Sequence, residues 1–330
     1  MTNAWPAEVF LRMRPAMLFG VAAMARAMYL FAFRPPLESY YLGLADSLLS
    51  TGVFGFDGTP SAAFEPAYPL FLAAATLLVS ERVLWIQLMQ VCVAAAGAPL
   101  LYYLALRLNA SRTAATLAGL LFAVHPLLVK QASGASDLPL ATTIVIGFVL
   151  AFAASRDVRG AALAGAVLGL AVLTRSMMAP LVVLSAAILL ARGRRPEALA
   201  LTLAAMTAIG PMLMRNYSLT GSVSPTRSGI NLYIGNSPHS ASLLPTYDLD
   251  LLEPEAYERF VEARPGLDQD AASFDAAFDA LLTRLAVRHM LADPPQTAAR
   301  RLLLPDRRTP LRLATVVPRP SARGECRSKN

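Results

Sequence analysis

The chain has 330 residues, of which 55% are hydrophobic and 15% are charged, and its mean hydropathy is +0.49. Soluble domains carry about 25% charged residues, so this composition excludes an ordinary soluble domain and indicates an integral membrane protein. The net charge of +7 does not indicate nucleic-acid binding, because residues 300–330 hold nine Lys or Arg and two acidic residues and so carry the whole excess.

Apolar runs separated by short polar segments predict an all-α integral membrane protein, a polytopic helical bundle. The runs lie near residues 16–33, 84–106, 113–131, 138–155, 160–174, 176–191 and 196–214. Several are shorter than the about 20 apolar residues that a helix needs to cross a bilayer. The first run imitates a signal peptide, but the many later runs favour a retained first helix.

The apolar run 68–79 decides the predicted topology. It is bracketed by Glu65, Glu81 and Arg82 and is too short to cross a bilayer unaided. If it only dips in or lies at the interface, nine arginines share one side, which marks the cytoplasmic face. They are Arg12, Arg14, Arg107, Arg112, Arg156, Arg159, Arg192, Arg194 and Arg195. We therefore predict about seven spans with the N-terminus inside, and a re-entrant or interfacial helix in the first external loop, residues 34–83.

The predicted membrane domain is 1–216, and the rest of the chain divides in two. Residues 217–304 are expected to be extracytoplasmic and partly amphipathic helical, because apolar residues recur at helical spacing within 248–293. Residues 305–330 form a basic, Pro- and Arg-rich tail without periodicity. That composition predicts disorder or a frame-shifted end, and we expect a truncated chain.

Polar residues collect at the predicted outer boundary of the bundle. The set is Glu38, Tyr40, Tyr41, Asp46, Asp57, Glu65, Lys130, Asp137, Arg175, Arg215 and Asn216. Asp137 and Arg175 each lie between apolar stretches, where a paired or cavity-lining role is the default expectation. The segments 215–221 and 229–236 add Asn, Gly and Tyr residues that membrane packing does not require. Carboxylates and cations at one depth indicate an anionic substrate and a proton acceptor.

Several motifs follow one another along about residues 18–304. They are Glu38–Ala45, Pro66–Leu70, His125-Pro126, Ser136-Asp137, Gly169–Arg175 and Arg215–Asn236. Their order and spacing resemble those of polyprenyl-phosphate-dependent glycosyltransferases of the GT-C class, in the protein mannosyltransferase and rhizobial core galacturonosyltransferase-like group. The resemblance implies a GT-C-type bundle in the cytoplasmic (inner) membrane of a bacterial cell, with its active site facing the outside or periplasm. It further implies an inverting sugar transfer from a lipid-linked donor to a lipid, glycan or protein acceptor.

The resemblance also implies site residues. A carboxylate of the first external loop acts as general base in the family, usually an Asp shortly before the Tyr of a Tyr-x-x-x-Ala pattern. Glu38 matches it here, and Asp137 of the second external loop is the competing candidate. The donor-phosphate candidates are Arg175, Arg215 and, as a third, Lys130, since a guanidinium can bind two phosphate oxygens at once. The candidate substrate-binding residues are Tyr41, Tyr68, Asn216, Asn231, Tyr233 and Asn236.

Each main candidate has a structural alternative. Glu38 could be a solvated loop acid that caps a short helix. Asp137, followed by Leu138-Pro139, also fits a helix N-cap. Arg175 could snorkel between two short helices, and Arg215 could be an anchor or a C-terminal charge at a helix end.

The sequence requires no cofactor beyond the lipid-linked sugar donor. It has no Walker-type or dinucleotide-type glycine loop, and Gly160, Gly165 and Gly169 favour close helix packing over phosphate binding. No metal ligand is predicted; a divalent metal is not excluded, although no dense carboxylate cluster demands one. The alternative function is an inactive truncated remnant or a protein that binds or transports lipid-linked sugar. A transporter should show paired repeats, and the chain has no convincing internal repeat.

Overall fold

A computed structural model describes residues 14–37, 40–56, 58–77, 82–134, 136–236, 272–292 and 294–295. These residues are predominantly helical, and helices occupy every region where the sequence predicts an apolar span. In chain order the helices are α1 Pro15–Phe33, α2 Tyr40–Thr51, α3 Ala67–Thr76, α4 Arg82–Arg107, α5 Arg112–Val124, α6 Pro126–Gln131, α7 Leu138–Ala154, α8 Val158–Thr174, α9 Pro180–Ala191, α10 Arg195–Thr220, α11 Ser228–Asn236 and α12 Ala272–Ala292. A 3₁₀ turn, Ser176–Met178, precedes α9, and the strands β1 Gly55–Phe56 and β2 Thr59–Pro60 form an antiparallel hairpin.

Three helices of the described part are long and apolar enough, by length and composition, to cross a membrane. They are α1, α4 from Val83 onward, and α10. The helices α3, α5, α7, α8 and α9 are also apolar, but each is shorter. The prediction of a helical membrane protein is therefore confirmed in outline, and the number of seven spans stays a prediction.

Prolines divide two of the predicted runs. The run 113–131, predicted as one span, consists of two helices, α5 and α6, separated at His125, whose backbone is extended (φ −60°, ψ 120°). Pro126 has no backbone N–H to donate, and it disfavours helical geometry in the residue before it. The run 176–191 likewise begins as a 3₁₀ turn, and its α-helix starts only at Pro180. Proline is favoured at the first position of a helix, where its missing N–H is not needed.

The helices α8 and α10 pack closely because α8 presents small residues. A Cβ atom at Gly165 would collide with the backbone of Leu201, and one at Gly169 would lie 2.7 Å from the Cβ of Ala208. Small residues four apart let two helix backbones approach each other. The packing interpretation is confirmed for these two glycines. Gly160 instead lies in the first turn of α8, where its N–H donates to the carboxylate of the N-cap, Asp157.

The chain forms two compact units. The first comprises residues 1–227 and 267–277, and the second comprises 228–266 and 278–330. The first unit contains the apolar helices, and α10 runs to Thr220, where Gly221 ends it in the left-handed conformation (φ 71°). In the second unit Ile230, Tyr233 and Ile234 of α11 form a small core with apolar residues of α12.

Candidate functional site

The central feature of the site is an ion pair between the loop before α7 and the end of α8. The Nε of Arg175 donates to Oδ2 of Asp137 at 2.5 Å. Asp137 is only 4% exposed, whereas the Arg175 side chain is 35% exposed. A charge leaves water at low cost only when it is paired and hydrogen-bonded, so the pairing explains how both charged groups can be buried or partly buried here. The expectation that these two residues play a paired role is confirmed.

Each member of this pair had a structural alternative in the sequence, a helix N-cap for Asp137 and a snorkelling side chain for Arg175. Asp137 occupies the N-cap position of α7, but its carboxylate accepts no capping bond; the N–H of Leu138 bonds to the Oγ of Ser136 instead. The N-cap position predicted for Asp137 is therefore confirmed, with Pro139 in the first turn, but its side chain makes no capping bond. Arg175 directs its guanidinium to the carboxylate rather than simply snorkelling, because α8 ends at Thr174 and Arg175 itself is extended (φ −148°, ψ 111°).

A second carboxylate, Glu65, joins the first loop to the same junction. Its Oε1 accepts the backbone N–H of Ser176 at 2.8 Å. Ser176 follows Arg175 directly, so this bond holds the first loop against the start of the 3₁₀ turn. Two carboxylates and one guanidinium thus come together from three separate regions of the sequence.

The pKa of the Tyr41 phenol is affected by the charges of Asp137, Glu65 and Arg175. Burial raises its pKa to about 12, and the carboxylates of Asp137 and Glu65 act in the same direction, while Arg175 and Arg227 oppose them. Burial also raises the pKa of Asp137, against the opposing charge of Arg175. Tyr41 therefore lies within electrostatic range of two carboxylates and two guanidinium groups, and its role in substrate binding stays a prediction.

Two amide side chains on α4, Gln87 and Gln90, hydrogen-bond to residues around the site. Tyr68 is 1% exposed, and its hydroxyl donates to Oε1 of Gln90 at 2.7 Å. The Nε2 of Gln90 donates to the carbonyl of Ala132 at 3.1 Å, and the Nε2 of Gln87 donates to that of Ser133 at 2.9 Å. These bonds hold the loop that precedes α7. Tyr68, predicted to bind substrate, is thus a buried part of this support.

Four aromatic rings contact one another in the first loop. The aromatic wall consists of Tyr40, Tyr41, Phe56 and Phe64. Tyr40 is exposed and stacks on Phe64 with ring centroids 6.1 Å apart, and Tyr41 meets Phe64 edge-on at 5.4 Å. The guanidinium of Arg227 lies 4.9 Å above the ring of Phe64. Such geometry is favourable for both aromatic pairs and a cation over a ring.

Arg215 and Lys130, the other two phosphate candidates, differ from Arg175. Arg215 donates from Nη1 to the carbonyl of Ser61 at 3.0 Å and from Nη2 to that of Phe54, and it lies 5.0 Å above the Phe54 ring. It therefore clamps both ends of the β-hairpin. Lys130 is exposed in the last turn of α6. The neighbouring candidate Asn216 is buried, and its Nδ2 has no hydrogen-bond partner among the described residues.

The remaining candidates lie elsewhere. Glu38 falls outside the described residues. Asn231, Tyr233 and Asn236 belong to the second compact unit. There Asn231 is exposed, Tyr233 is buried with its ring 6.2 Å from that of His289, and Asn236 donates to a carbonyl of its own helix. Within that unit Tyr233 packs in the small apolar core, and a substrate-binding role for the three residues stays a prediction.

Sequence reasoning missed three contributors to the first unit. Gln87 and Gln90 stand inside an apolar run, which is itself a signal, because polar residues in a membrane helix are costly unless partnered. Arg26 is another such residue, in the middle of the first run.

No three His, Cys, Asp or Glu side chains gather in a metal-binding group within the part of the chain that the structure describes. No family model matches the chain, and neither a curated protein nor a solved structure matches it. The chemistry of the site therefore has to carry the functional assignment. Its components are a partly exposed guanidinium, two carboxylates and an aromatic wall.

Proposed function

We propose that this chain is an inverting membrane glycosyltransferase of the GT-C type with about seven spans. It moves a sugar from a polyprenyl-phosphate-linked donor to a lipid, glycan or protein acceptor at the outer face of the cytoplasmic membrane. The observation that supports this proposal is the Arg175–Asp137 pair with Glu65 beside it. A transfer from phosphate needs a cation for the leaving group and a base for the acceptor hydroxyl, and this cluster offers both.

Arg175 is the group proposed to bind the donor phosphate. Its Nε is bound by Asp137, its Nη1 lies 3.9 Å from the sulfur of Met177, and the side chain is 35% exposed. Among the described residues, the terminal nitrogens of Arg175 form no ion pair with a second carboxylate. A fixed cation at a site of low dielectric stabilises charge on a leaving phosphate more strongly than it would in bulk water.

The reaction balances with one general base. The acceptor oxygen attacks the anomeric carbon from the face opposite the phosphate, the bond from that carbon to the phosphate oxygen breaks, and the phosphate keeps the electron pair. The hydroxyl proton passes to a carboxylate. Glu38 and Asp137 are the two candidates from the sequence. Asp137 is almost fully buried against Arg175, which suits it better to orienting the guanidinium.

The test is sugar transfer by the full chain in proteoliposomes. Radiolabelled hexoses or pentoses on undecaprenyl phosphate are the donors, and extracted envelope lipids and glycans are the acceptors. Arg175→Ala should lower kcat/KM roughly 10²–10³-fold through loss of charge stabilisation. Asp137→Asn should raise KM for the donor, and Glu38→Gln tests the remaining candidate.

Arg156→Ala is the matched control, because Arg156 is an exposed arginine in a loop. It should leave turnover unchanged. Absence of turnover with every donor, in a correctly inserted wild-type chain, would contradict the proposal. Retained donor binding in that case would favour a binding or transport protein instead.

A further inference from the structure

We propose that the acceptor presents a sugar ring, which stacks on Tyr40 while Arg227 and Asp275 bind its hydroxyl groups. This inference rests on the proposed glycosyltransferase function, and it narrows the acceptor from any lipid, glycan or protein to a carbohydrate. A sugar ring carries C–H groups on its faces and hydroxyl groups around its edge. A site for it therefore combines an aromatic face with a few polar or charged groups that fix its orientation.

The ring of Tyr40 is held by its neighbours and is still exposed. It stacks on Phe64 at an interplanar angle of 25° and meets Phe56 edge-on at 84°, with ring centroids 6.1 and 6.5 Å apart. Tyr40 is 67% exposed, whereas Phe64 is 9% exposed. A ring that is already fixed loses little conformational freedom when a ligand stacks on it. Tyr40 therefore offers a preorganised aromatic surface.

Two charged side chains lie beside this aromatic wall. The guanidinium of Arg227 is 4.9 Å above the ring of Phe64, the same ring that Tyr40 contacts. Asp275, in the first turn of α12, accepts a hydrogen bond from the Oγ of Ser61 through Oδ2 at 3.4 Å. Among the described residues, Oδ1 of Asp275 accepts no hydrogen bond. A guanidinium donates and a carboxylate accepts, so the two supply both kinds of partner that sugar hydroxyls need.

Electrostatic effects connect this surface to the proposed donor site. The charge of Arg227 opposes the rise that burial causes in the pKa of Asp275, so these two groups lie within range of each other. Arg227 and Arg175 both act on the pKa of Tyr41, which belongs to the aromatic wall. All of these residues belong to the first compact unit. The carbohydrate surface and the proposed phosphate-binding cation are therefore both neighbours of Tyr41.

An interfacial anchor is the competing explanation for the exposure of Tyr40, because tyrosine is enriched where a membrane meets water. Such an anchor requires neither Arg227 nor Asp275. An apolar lipid segment on the ring would offer no hydrogen bonds to these two charged groups, and covering them without partners is unfavourable. A sugar ring satisfies the aromatic face and both charged groups together.

The first experiment measures sugar binding in the absence of a donor. The full chain is reconstituted in phosphatidylcholine nanodiscs, so that no glycoside detergent competes for the site. Saturation-transfer difference NMR is recorded with di- and trisaccharides of glucose, galactose, mannose and N-acetylglucosamine, and with sorbitol as an open-chain polyol. We expect at least one oligosaccharide to bind, with the strongest transfer to ring C–H protons, and sorbitol not to bind.

Three variants test which groups hold the sugar. Tyr40→Ala should weaken binding about 10-fold through loss of the stacking surface. Asp275→Asn should also weaken it about 10-fold, because a hydrogen bond to a charged acceptor is replaced by one to a neutral acceptor. Tyr40→Phe keeps the ring and should bind like the wild type.

The matched control is Tyr217→Ala, which removes a ring of similar exposure, 63%, outside the aromatic wall. It should leave sugar binding unchanged. Wild-type affinity in Tyr40→Ala would overturn the carbohydrate site. Equal loss in Tyr217→Ala, or no binding by any oligosaccharide of the panel, would overturn it as well.

A second experiment separates the acceptor from the donor. In the proteoliposome transfer assay, Tyr40→Ala should raise KM for a glycan acceptor about 10-fold and leave KM for the donor unchanged. A rise confined to the donor KM, or transfer only to lipids or proteins that carry no sugar, would overturn the inference while the proposed function stands. Sugar binding by a wild-type chain that transfers nothing would support the carbohydrate site and overturn the proposed function.

Discussion

Replacing Arg26 by methionine should destabilise the protein although it removes a buried charge. Arg26 is fully buried in α1, and its Nη1 donates to the carbonyl of Ala123 at 2.8 Å, while Nη2 reaches that of Phe122 at 3.4 Å. Both carbonyls lie in the last turn of α5, where helical N–H partners run out. Pro126 cannot supply one for Phe122. Arg26 therefore takes the place of the missing helical donors.

Two opposing effects set the size of the change. Each buried carbonyl left without a partner costs about 1–3 kcal/mol, so losing Arg26 costs about 2–6 kcal/mol. Removing a buried charge returns about 1–4 kcal/mol in systems where ion pairs were replaced by apolar residues. The Phe122 ring, 5.5 Å from the guanidinium carbon, and a third bond to Ala22 already offset part of the cost of burying this charge. We expect a net loss of about 2 kcal/mol.

The assay is reversible unfolding in mixed detergent micelles, followed by far-ultraviolet circular dichroism. In a Pro126→Ala background, Arg26→Met should lower the free energy of unfolding by a smaller amount, because alanine supplies an N–H to the carbonyl of Phe122. Arg156→Met, the same change at an exposed site, should lie within about 0.5 kcal/mol of the wild type. An Arg26→Met protein as stable as the wild type, or a cost that Pro126→Ala does not change, would refute the capping role.

Three further changes test packing, the support of the site and its charge. Gly165→Val should lower the free energy of unfolding by about 1–3 kcal/mol through overpacking, measured by the same unfolding assay. The control Gly210→Ala, at an open position, should be nearly neutral. Tyr68→Phe leaves Oε1 of Gln90 without its donor and should cost about 1 kcal/mol of stability with KM for the donor unchanged; a shift confined to KM would contradict a supporting role. The phenol of Tyr41 should titrate near pH 12 rather than 10.0, read from phenolate absorbance as wild type minus Tyr41→Phe. Since the folded-state pKa is raised, the stability that Tyr41 contributes is complete below pH 10.0 and lost as the pH rises through about 12.

Much of the secondary structure could be predicted, because its causes are local. Each apolar run contains a helix, and small residues at Gly165 and Gly169 mark where two helices pack closely. The run 113–131 is predicted as one span, whereas the structure divides it into two helices at His125-Pro126. Periodicity and hydropathy continue across that break, whereas the lost backbone donor interrupts the hydrogen bonds.

The site could be predicted only in part. Asp137 and Arg175 were recognisable because charged residues between apolar stretches need partners. Arg215 was recognisable from the Arg215–Asn236 motif, but its guanidinium binds the carbonyls at the ends of the hairpin. Tyr68 was predicted from its motif, yet it faces inward to Gln90. A polar residue in sequence shows that a partner is required and does not show which one.

The sequence by itself determined the class of the protein, because hydropathy and charge are sums over residues and need no coordinates. Proline and glycine also act on their immediate neighbours, so the residues that break or end a helix, such as Pro126 and Gly221, are local features of the sequence. Only the tertiary structure decided which polar groups meet. Arg175 finds a carboxylate 38 residues away, and Ser176 binds Glu65 across 111 residues. In an interior of low dielectric an unsatisfied polar group is costly, but the packing of the helices determines which partner it meets.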